Sequence, residues 1–92
     1  MDDGRLGKLR FRAWRRGFRE ADLILGPFAD QHLDRLTPVQ LDEFETLLDQ
    51  ADHDLYAWII GQTPAPEAFD GEVLGLIRDF RFDARITRPL GA

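Results

Sequence analysis

The 92-residue sequence predicts an all-α fold, a compact five-helix bundle of short helices. Three observations carry that expectation. Apolar residues recur at three- and four-residue spacing, and no segment alternates with period two for long enough to read as a strand. Helix start and stop signals, Thr37-Pro38-Val39-Gln40 and Gly61 among them, cut the chain into short elements. The length leaves room for one domain, expected over residues 1–92, with an ordered core at about 8–83 and a loose tail at 84–92.

The first helix is expected from Lys8 to Arg16, after a loose start around Gly4 and Gly7. Leu9 and Ala13 lie four apart with Trp14 beside them, an apolar stripe on an arginine-coated helix. Gly17 interrupts it. In a helix interior glycine costs ~1 kcal/mol relative to alanine, so Gly17 marks a turn or a close backbone approach. The second helix starts near Phe18 or Arg19, with Glu20 and Asp22 in its first turn, where negative charge suits the macrodipole. Leu23, Ile24 and Leu25 are expected on its core face. Gly26-Pro27 predicts a kink, after which the pattern continues to about His32.

The third helix has the clearest start. Thr37 serves as N-cap, Pro38 sits at the first helical position, and Gln40 completes a capping box. Leu41, Phe44, Leu47, Leu48 and Ala51 follow at helical spacing, with Asp42, Glu43, Glu45 and Asp49 outside. Asp52 or Asp54 is expected to cap a short fourth helix carrying Leu55, Trp58 and Ile59 and ending at Gly61. After the Thr63-Pro64-Ala65-Pro66 linker, Pro66 is expected to open the fifth helix. Phe69, Val73, Leu76, Ile77 and Phe80 share one face of it, to about Arg81 or Phe82. The predicted core comprises Leu9, Ala13, Leu23, Ile24, Phe28, Leu33, Leu41, Phe44, Leu47, Leu48, Leu55, Trp58, Ile59, Phe69, Val73, Leu76, Ile77 and Phe80.

The absence of cysteine excludes disulfides, thiol catalysis and thiolate zinc sites. No apolar run approaches the ~20 residues needed to span a bilayer, so direct membrane insertion is not expected. The net charge of −5 hides a split. Residues 1–19 hold seven basic groups against two acidic ones, and residues 20–92 hold five against fifteen. A cleaved targeting peptide fits poorly, because serine is absent and the segment runs on into apolar sequence. A nucleic-acid patch would sit on a body that repels phosphate. A solvated helix face and a docking surface for an acidic or polar partner protein both remain.

Catalytic equipment is sparse. His32 and His53 sit at a predicted helix end and start, with no HxxxH or ExxH spacing, and Gly71-Glu72-Val73-Leu74-Gly75 lacks the rest of a phosphate loop. No dinucleotide fingerprint is present, so no cofactor is expected on this chain alone, and the protein is not expected to be an enzyme. The densest unusual cluster is Arg15-Arg16-Gly17-Phe18-Arg19-Glu20. In a continuous helix Arg16 and Glu20 could form an i,i+4 pair worth ~0.3–0.5 kcal/mol. Read as structure alone, Gly17 turns the chain and Glu20 decorates a helix start. Read as a surface, three arginines and an exposed Phe18 around a glycine hinge suit contact better than stability. Gly71 and Gly75 form a second oddity. They lie opposite the core stripe, near Arg78 and Phe82, and cost ~2 kcal/mol together unless another backbone packs there.

Arg16-Gly17-Phe18-Arg19-Glu20 resembles the RGxxE motif of the succinate dehydrogenase flavinylation factors, small helical proteins of bacteria and mitochondria. The likeness extends to Pro27-Phe28, to Asp54-Leu55-Tyr56-Ala57-Trp58, and to Pro64-Ala65-Pro66-Glu67 through Leu76-Ile77-Arg78-Asp79-Phe80, covering roughly residues 8–82 in order. Gly71 and Gly75 stand where the family is expected to carry ordinary helix formers.

The resemblance implies a five-helix bundle. It also implies an assembly factor, or chaperone, that binds the flavoprotein subunit of succinate dehydrogenase, and in some bacteria that of fumarate reductase, and promotes covalent attachment of FAD to it. The FAD then belongs to the partner. The motif residues carried over are Arg16, Gly17 and Glu20. Arg12, Arg15, Phe18, Arg19 and Trp58 are further contact candidates, Trp58 being equally a core candidate. With no organelle presequence, a bacterial cytoplasmic location is expected. The alternative is an antitoxin-like or nucleic-acid-associated regulator, which the arginine-rich head alone would favour.

Overall fold

Five α-helices succeed one another in a computed structural model that describes the backbone of residues 3–87 and the side chains of residues 4–81. They are α1 (Asp3–Trp14), α2 (Arg19–His32), α3 (Pro38–Leu48), α4 (Asp52–Ile60) and α5 (Glu72–Thr87), with a 3-10 turn at Leu33–Arg35. The all-α expectation holds. Residues 88–92 of the expected loose tail lie outside the described residues, whereas α5 reaches Thr87.

α1 begins at Asp3 rather than near Lys8. A Cβ at Gly4 or Gly7 would meet nothing, so these glycines lower propensity without costing a contact. Tertiary anchoring overrides that deficit: Arg5 donates to Asp42 (2.5 Å) and Glu45 (3.2 Å) on α3, and Leu6 packs against the core. α1 also ends earlier than expected, at Trp14, so Arg15 and Arg16 are not helical.

α2 runs continuously through Pro27. The carbonyl left free by the missing proline N–H belongs to Leu23, which is 58% exposed. Leu23 therefore leaves the predicted core, and Ile24 is only half-buried. The buried face is Ala21, Leu25, Phe28 and Ala29, and Leu23 lies about 200° round the helix from both Ala21 and Leu25. Gly26 is buried for a different reason. A Cβ there would come within 3.0 Å of three carbons of the Trp14 indole, which lies over it and donates Nε1–H to Asp30 (3.2 Å).

The α3 capping box forms as expected. Thr37 Oγ1 accepts from the Gln40 N–H (3.1 Å), and the Gln40 side chain accepts from the Thr37 N–H (3.0 Å). Neither Asp52 nor Asp54 caps α4. Ala51 is the N-cap, with Asp52 the first helical residue. Gly61 ends α4 as expected, at φ +80.

The fifth helix starts at Glu72 instead of Pro66. Residues 66–70 form a turn in which Phe69 N–H donates to the Pro66 carbonyl (2.9 Å). Phe69, ahead of the helix, stacks on Trp58 at 5.4 Å. Leu74 is buried and Leu76 is 38% exposed, the reverse of the expected pattern. Gly71 thus precedes α5 and faces the Glu43 carboxylate, while Gly75 faces open space. The shared glycine face therefore does not exist, and Arg78 turns instead to the Trp58 carbonyl (2.9 Å). The core closes around Phe28, which meets Phe44 (5.7 Å), Phe80 (5.8 Å) and His32 (4.9 Å).

Candidate functional site

Residues 15–18 turn the chain between α1 and α2. Gly17 makes the reversal at φ +87, a region that L side chains avoid. The Arg16 backbone N–H donates to Asp22 Oδ1 (3.2 Å) across the turn, and Asp22 N–H donates to the Phe18 carbonyl (2.9 Å), starting α2. Phe18, at the N-cap, is not free as expected. Its half-buried ring packs on His53 (5.0 Å) and Tyr56 (5.3 Å) of α4.

The Gly17 turn breaks the helix as expected, so the Arg16–Glu20 pair that a continuous helix would have allowed does not form. The Arg16 side chain is 7% exposed and points at the joint between α3 and α4. Its guanidinium donates to Asp52 Oδ1 (2.8 Å), the Leu48 carbonyl (2.6 Å) and the Gln50 carbonyl (2.7 Å). The Leu48 carbonyl closes α3 and the Gln50 carbonyl belongs to the linker that follows, and a cation at a helix C-terminus also suits the helix dipole.

Glu20 lies in the first turn of α2, exposed, with no ion-pair or hydrogen-bond partner among the described residues. Arg19 beside it is exposed, and so is Arg15, whose guanidinium sits over the Phe11 ring at 5.2 Å. Phe11 is 62% exposed, and Leu23 is three residues beyond Glu20 on the same side of α2. Arg19, Glu20 and Leu23 are thus exposed on the first turns of α2, and Arg15 is exposed on the other side of the Gly17 turn with Phe11 beneath its guanidinium. Arg12 turns away to Asp49 (2.6 Å), the C-cap of α3, and to Glu45 (3.9 Å) within it. Trp58 is a core residue, nearly covered and stacked on Phe69.

The basic head is largely neutralised from within. Arg5 meets Asp42 and Glu45, Arg10 meets Asp30 (3.9 Å), Arg12 meets Asp49, and Arg16 meets Asp52. The hydrogen bond that Arg5 donates to the Asp42 carboxylate raises the pKa of Arg5 above its ordinary value. Lys8, Arg15 and Arg19 form no ion pair with a described residue, and two of these three flank Gly17. Among the described residues no group of three or more acidic or histidine side chains is placed to hold a metal ion. No described helix is long and apolar enough to cross a membrane.

Phe11 and Leu23 are absent from the sequence-based contact candidates. A signal for Phe11 existed, since it lies off the Leu9–Ala13 stripe. The Arg16–Asp52 contact spans 36 positions and leaves no local trace.

Comparison with known proteins places this geometry in context. Residues 7–81 match the profile of a family described as "Flavinator of succinate dehydrogenase". The chain is 41% identical over 71 residues to the mitochondrial succinate dehydrogenase assembly factor 2 of Dictyostelium discoideum, covering 77% of this chain and 50% of that protein. It is 31% identical over 87 residues to the Danio rerio protein of the same name, covering 92% of this chain and 55% of the relative. It is 33% identical over 81 residues to the FAD assembly factor SdhE of Acetobacter pasteurianus, covering 88% of this chain and 72% of the relative. The chain spans about half the length of the mitochondrial relatives it matches.

Proposed function

The chain belongs to the succinate dehydrogenase flavinator family, and we propose that it binds the flavoprotein subunit of that enzyme and promotes covalent attachment of FAD to it. It acts as an assembly factor and not as an enzyme. The flavoprotein supplies both the flavin site and the residue that is modified. The fumarate reductase flavoprotein is a second client where a cell makes one, and the place of action is the bacterial cytoplasm.

One observation carries this reading: the Gly17 turn leaves Glu20 exposed, beside Arg15 and Arg19, on a head whose other arginines are mostly neutralised. An exposed carboxylate accepts hydrogen bonds and exposed guanidinium groups recognise carboxylates and carbonyls. Leu23 adds exposed apolar area one turn beyond Glu20, and Phe11 adds it beside Arg15. Such a surface promotes flavinylation by binding one flavoprotein conformer better than the others, and it shifts the population only by that differential affinity. Four paired arginines leave little free positive charge for a phosphate backbone, so the nucleic-acid alternative gains no support.

Co-expression with the flavoprotein subunit tests the proposal, with covalent flavin read as in-gel fluorescence. Wild type is expected to give labelled subunit. Glu20→Ala is expected to lose most of the signal while its stability stays within about 0.5 kcal/mol, as for other exposed sites. Gly17→Arg is expected to lose the signal as well. Full labelling without the factor, or with both variants, would overturn the reading.

A further inference from the structure

Gly17 creates a difficulty for any docking surface built around it. Glycine populates more backbone conformations than any other residue, so a turn centred on it does not by itself hold Glu20 at one place relative to Arg15. Something must select the conformer. Phe18, packed on His53 and Tyr56, holds one side of the turn, and the Arg16 guanidinium holds the other, donating to three acceptors on the α3–α4 joint. Two are backbone carbonyls of a segment already fixed by the core residues Leu47 and Leu48. The third, Asp52, is the first residue of α4, whose Leu55, Trp58 and Ile59 are buried. On the other side, the Arg16 backbone N–H is held by Asp22 of α2.

We propose that Arg16 and Asp52 are positioning residues for docking: together they lock the Gly17 turn to the α3–α4 joint and so set where Glu20 meets the flavoprotein. The inference rests on the proposed docking role of the Glu20 face and divides the motif by task. Glu20 touches the partner, Gly17 permits the turn, and Arg16 faces inward and fixes it. Asp52, a residue outside the motif, thereby becomes part of the functional machinery. Only arginine fits at position 16, because a planar fork reaches three separate acceptors and a lysine ammonium on a flexible stem does not hold the same geometry.

The test uses the full chain with the apo-flavoprotein subunit and FAD, and reads covalent flavin against factor concentration. Asp52→Asn and Arg16→Lys are compared with wild type, with Asp52→Glu as the rescue variant. Loss of a charge-assisted hydrogen bond predicts about a tenfold rise in half-saturating concentration, an unchanged plateau, and partial recovery in Asp52→Glu. Hydrogen exchange of the Arg16 backbone N–H, read by NMR on the free chain, is expected to quicken about tenfold in Asp52→Asn.

Three results would overturn the proposal. One is a folded Asp52→Asn and a folded Arg16→Lys that both match wild type. Another is an Arg16→Ala that loses docking while Asp52→Asn keeps it, which would place Arg16 in direct contact with the partner. The third is unchanged exchange at Arg16 in Asp52→Asn. That exchange measurement needs no flavoprotein, so it decides the lock even if the wild-type chain supports no flavinylation, an outcome that would instead sink the docking role itself.

Discussion

Gly17 and Gly61 offer a controlled pair. Both adopt left-handed backbone, at φ +87 and +80, and a Cβ at either would meet nothing within 4 Å. Substitution by alanine therefore acts through the backbone alone. Holding an L residue in that region costs about 1–2 kcal/mol, and the gain from a stiffer unfolded chain does not offset it where φ is positive. For a domain of this size each kcal/mol lowers the melting temperature by about 4–8 °C. Gly17→Ala and Gly61→Ala are expected to lose similar stability in urea titrations, with unchanged slopes. Asparagine, which tolerates left-handed backbone, is expected to recover part of the loss at both. Function separates the two sites. Gly61 ends α4, away from the Arg15–Phe18 turn, so at a temperature where both variants are folded only Gly17→Ala is expected to lower flavinylation. Equal loss of flavinylation in both would refute the assignment of the turn as a functional element. Full stability in Gly17→Ala would refute the backbone argument.

Four further outcomes follow from the packing. Gly26→Ala drives a methyl into the Trp14 ring, and overpacking of that kind costs about 1–3 kcal/mol, to be read by denaturation together with movement of the Trp14 indole N–H signal. Gly75→Ala, helical and facing open space, is expected to stabilise by up to ~1 kcal/mol, whereas Gly71→Ala first has to displace the Glu43 carboxylate and gains less. Phe44→Ala removes a fully buried ring packed on Phe28 and is expected to cost about 3–5 kcal/mol by the same titration. A double-mutant cycle on Arg12 and Asp49, both substantially exposed, is expected to give a coupling below about 1 kcal/mol that shrinks further in salt.

The helices that local chemistry defines were legible. Thr37 and Gln40 announce α3 because both halves of a capping box lie within four residues, and Gly61 announces the end of α4 because left-handed caps favour glycine. What failed depended on distance or on phase. The start of α1 rests on Leu6 packing against the core, with Arg5 reaching Asp42 beside it, contacts that propensity does not contain. Pro66 looked like a helix start, yet the chain first makes a turn that lays Phe69 on Trp58. Leu23-Ile24-Leu25 reads as one apolar run, but consecutive helical residues point about 100° apart, so only one of the three is fully buried. At the candidate site, sequence located the turn and Glu20. It placed Arg16 and Phe18 outward because nothing local shows that Asp52, His53 and Tyr56 wait beneath them.

The opposed charges of head and body acquire a physical meaning from this arrangement. If the seven basic groups of residues 1–19 were all free, the head would attract any polyanion, and selectivity for one protein would have to come from elsewhere. The acidic residues of α2, α3 and α4 instead pair with Arg5, Arg10, Arg12 and Arg16. Each exposed pair contributes little to stability. Their larger effect is on recognition, since they lower the nonspecific field of the head and leave Arg15 and Arg19 without an ion pair to any described residue, close in sequence to Glu20. A surface carrying both signs of charge a few residues apart discriminates by geometry, because a partner must match the arginines and the carboxylate together. That requirement is why the turn has to be rigid. A mixed-charge pattern on a mobile loop would be averaged away, and the buried Arg16 fork converts a flexible glycine into a fixed point of the pattern.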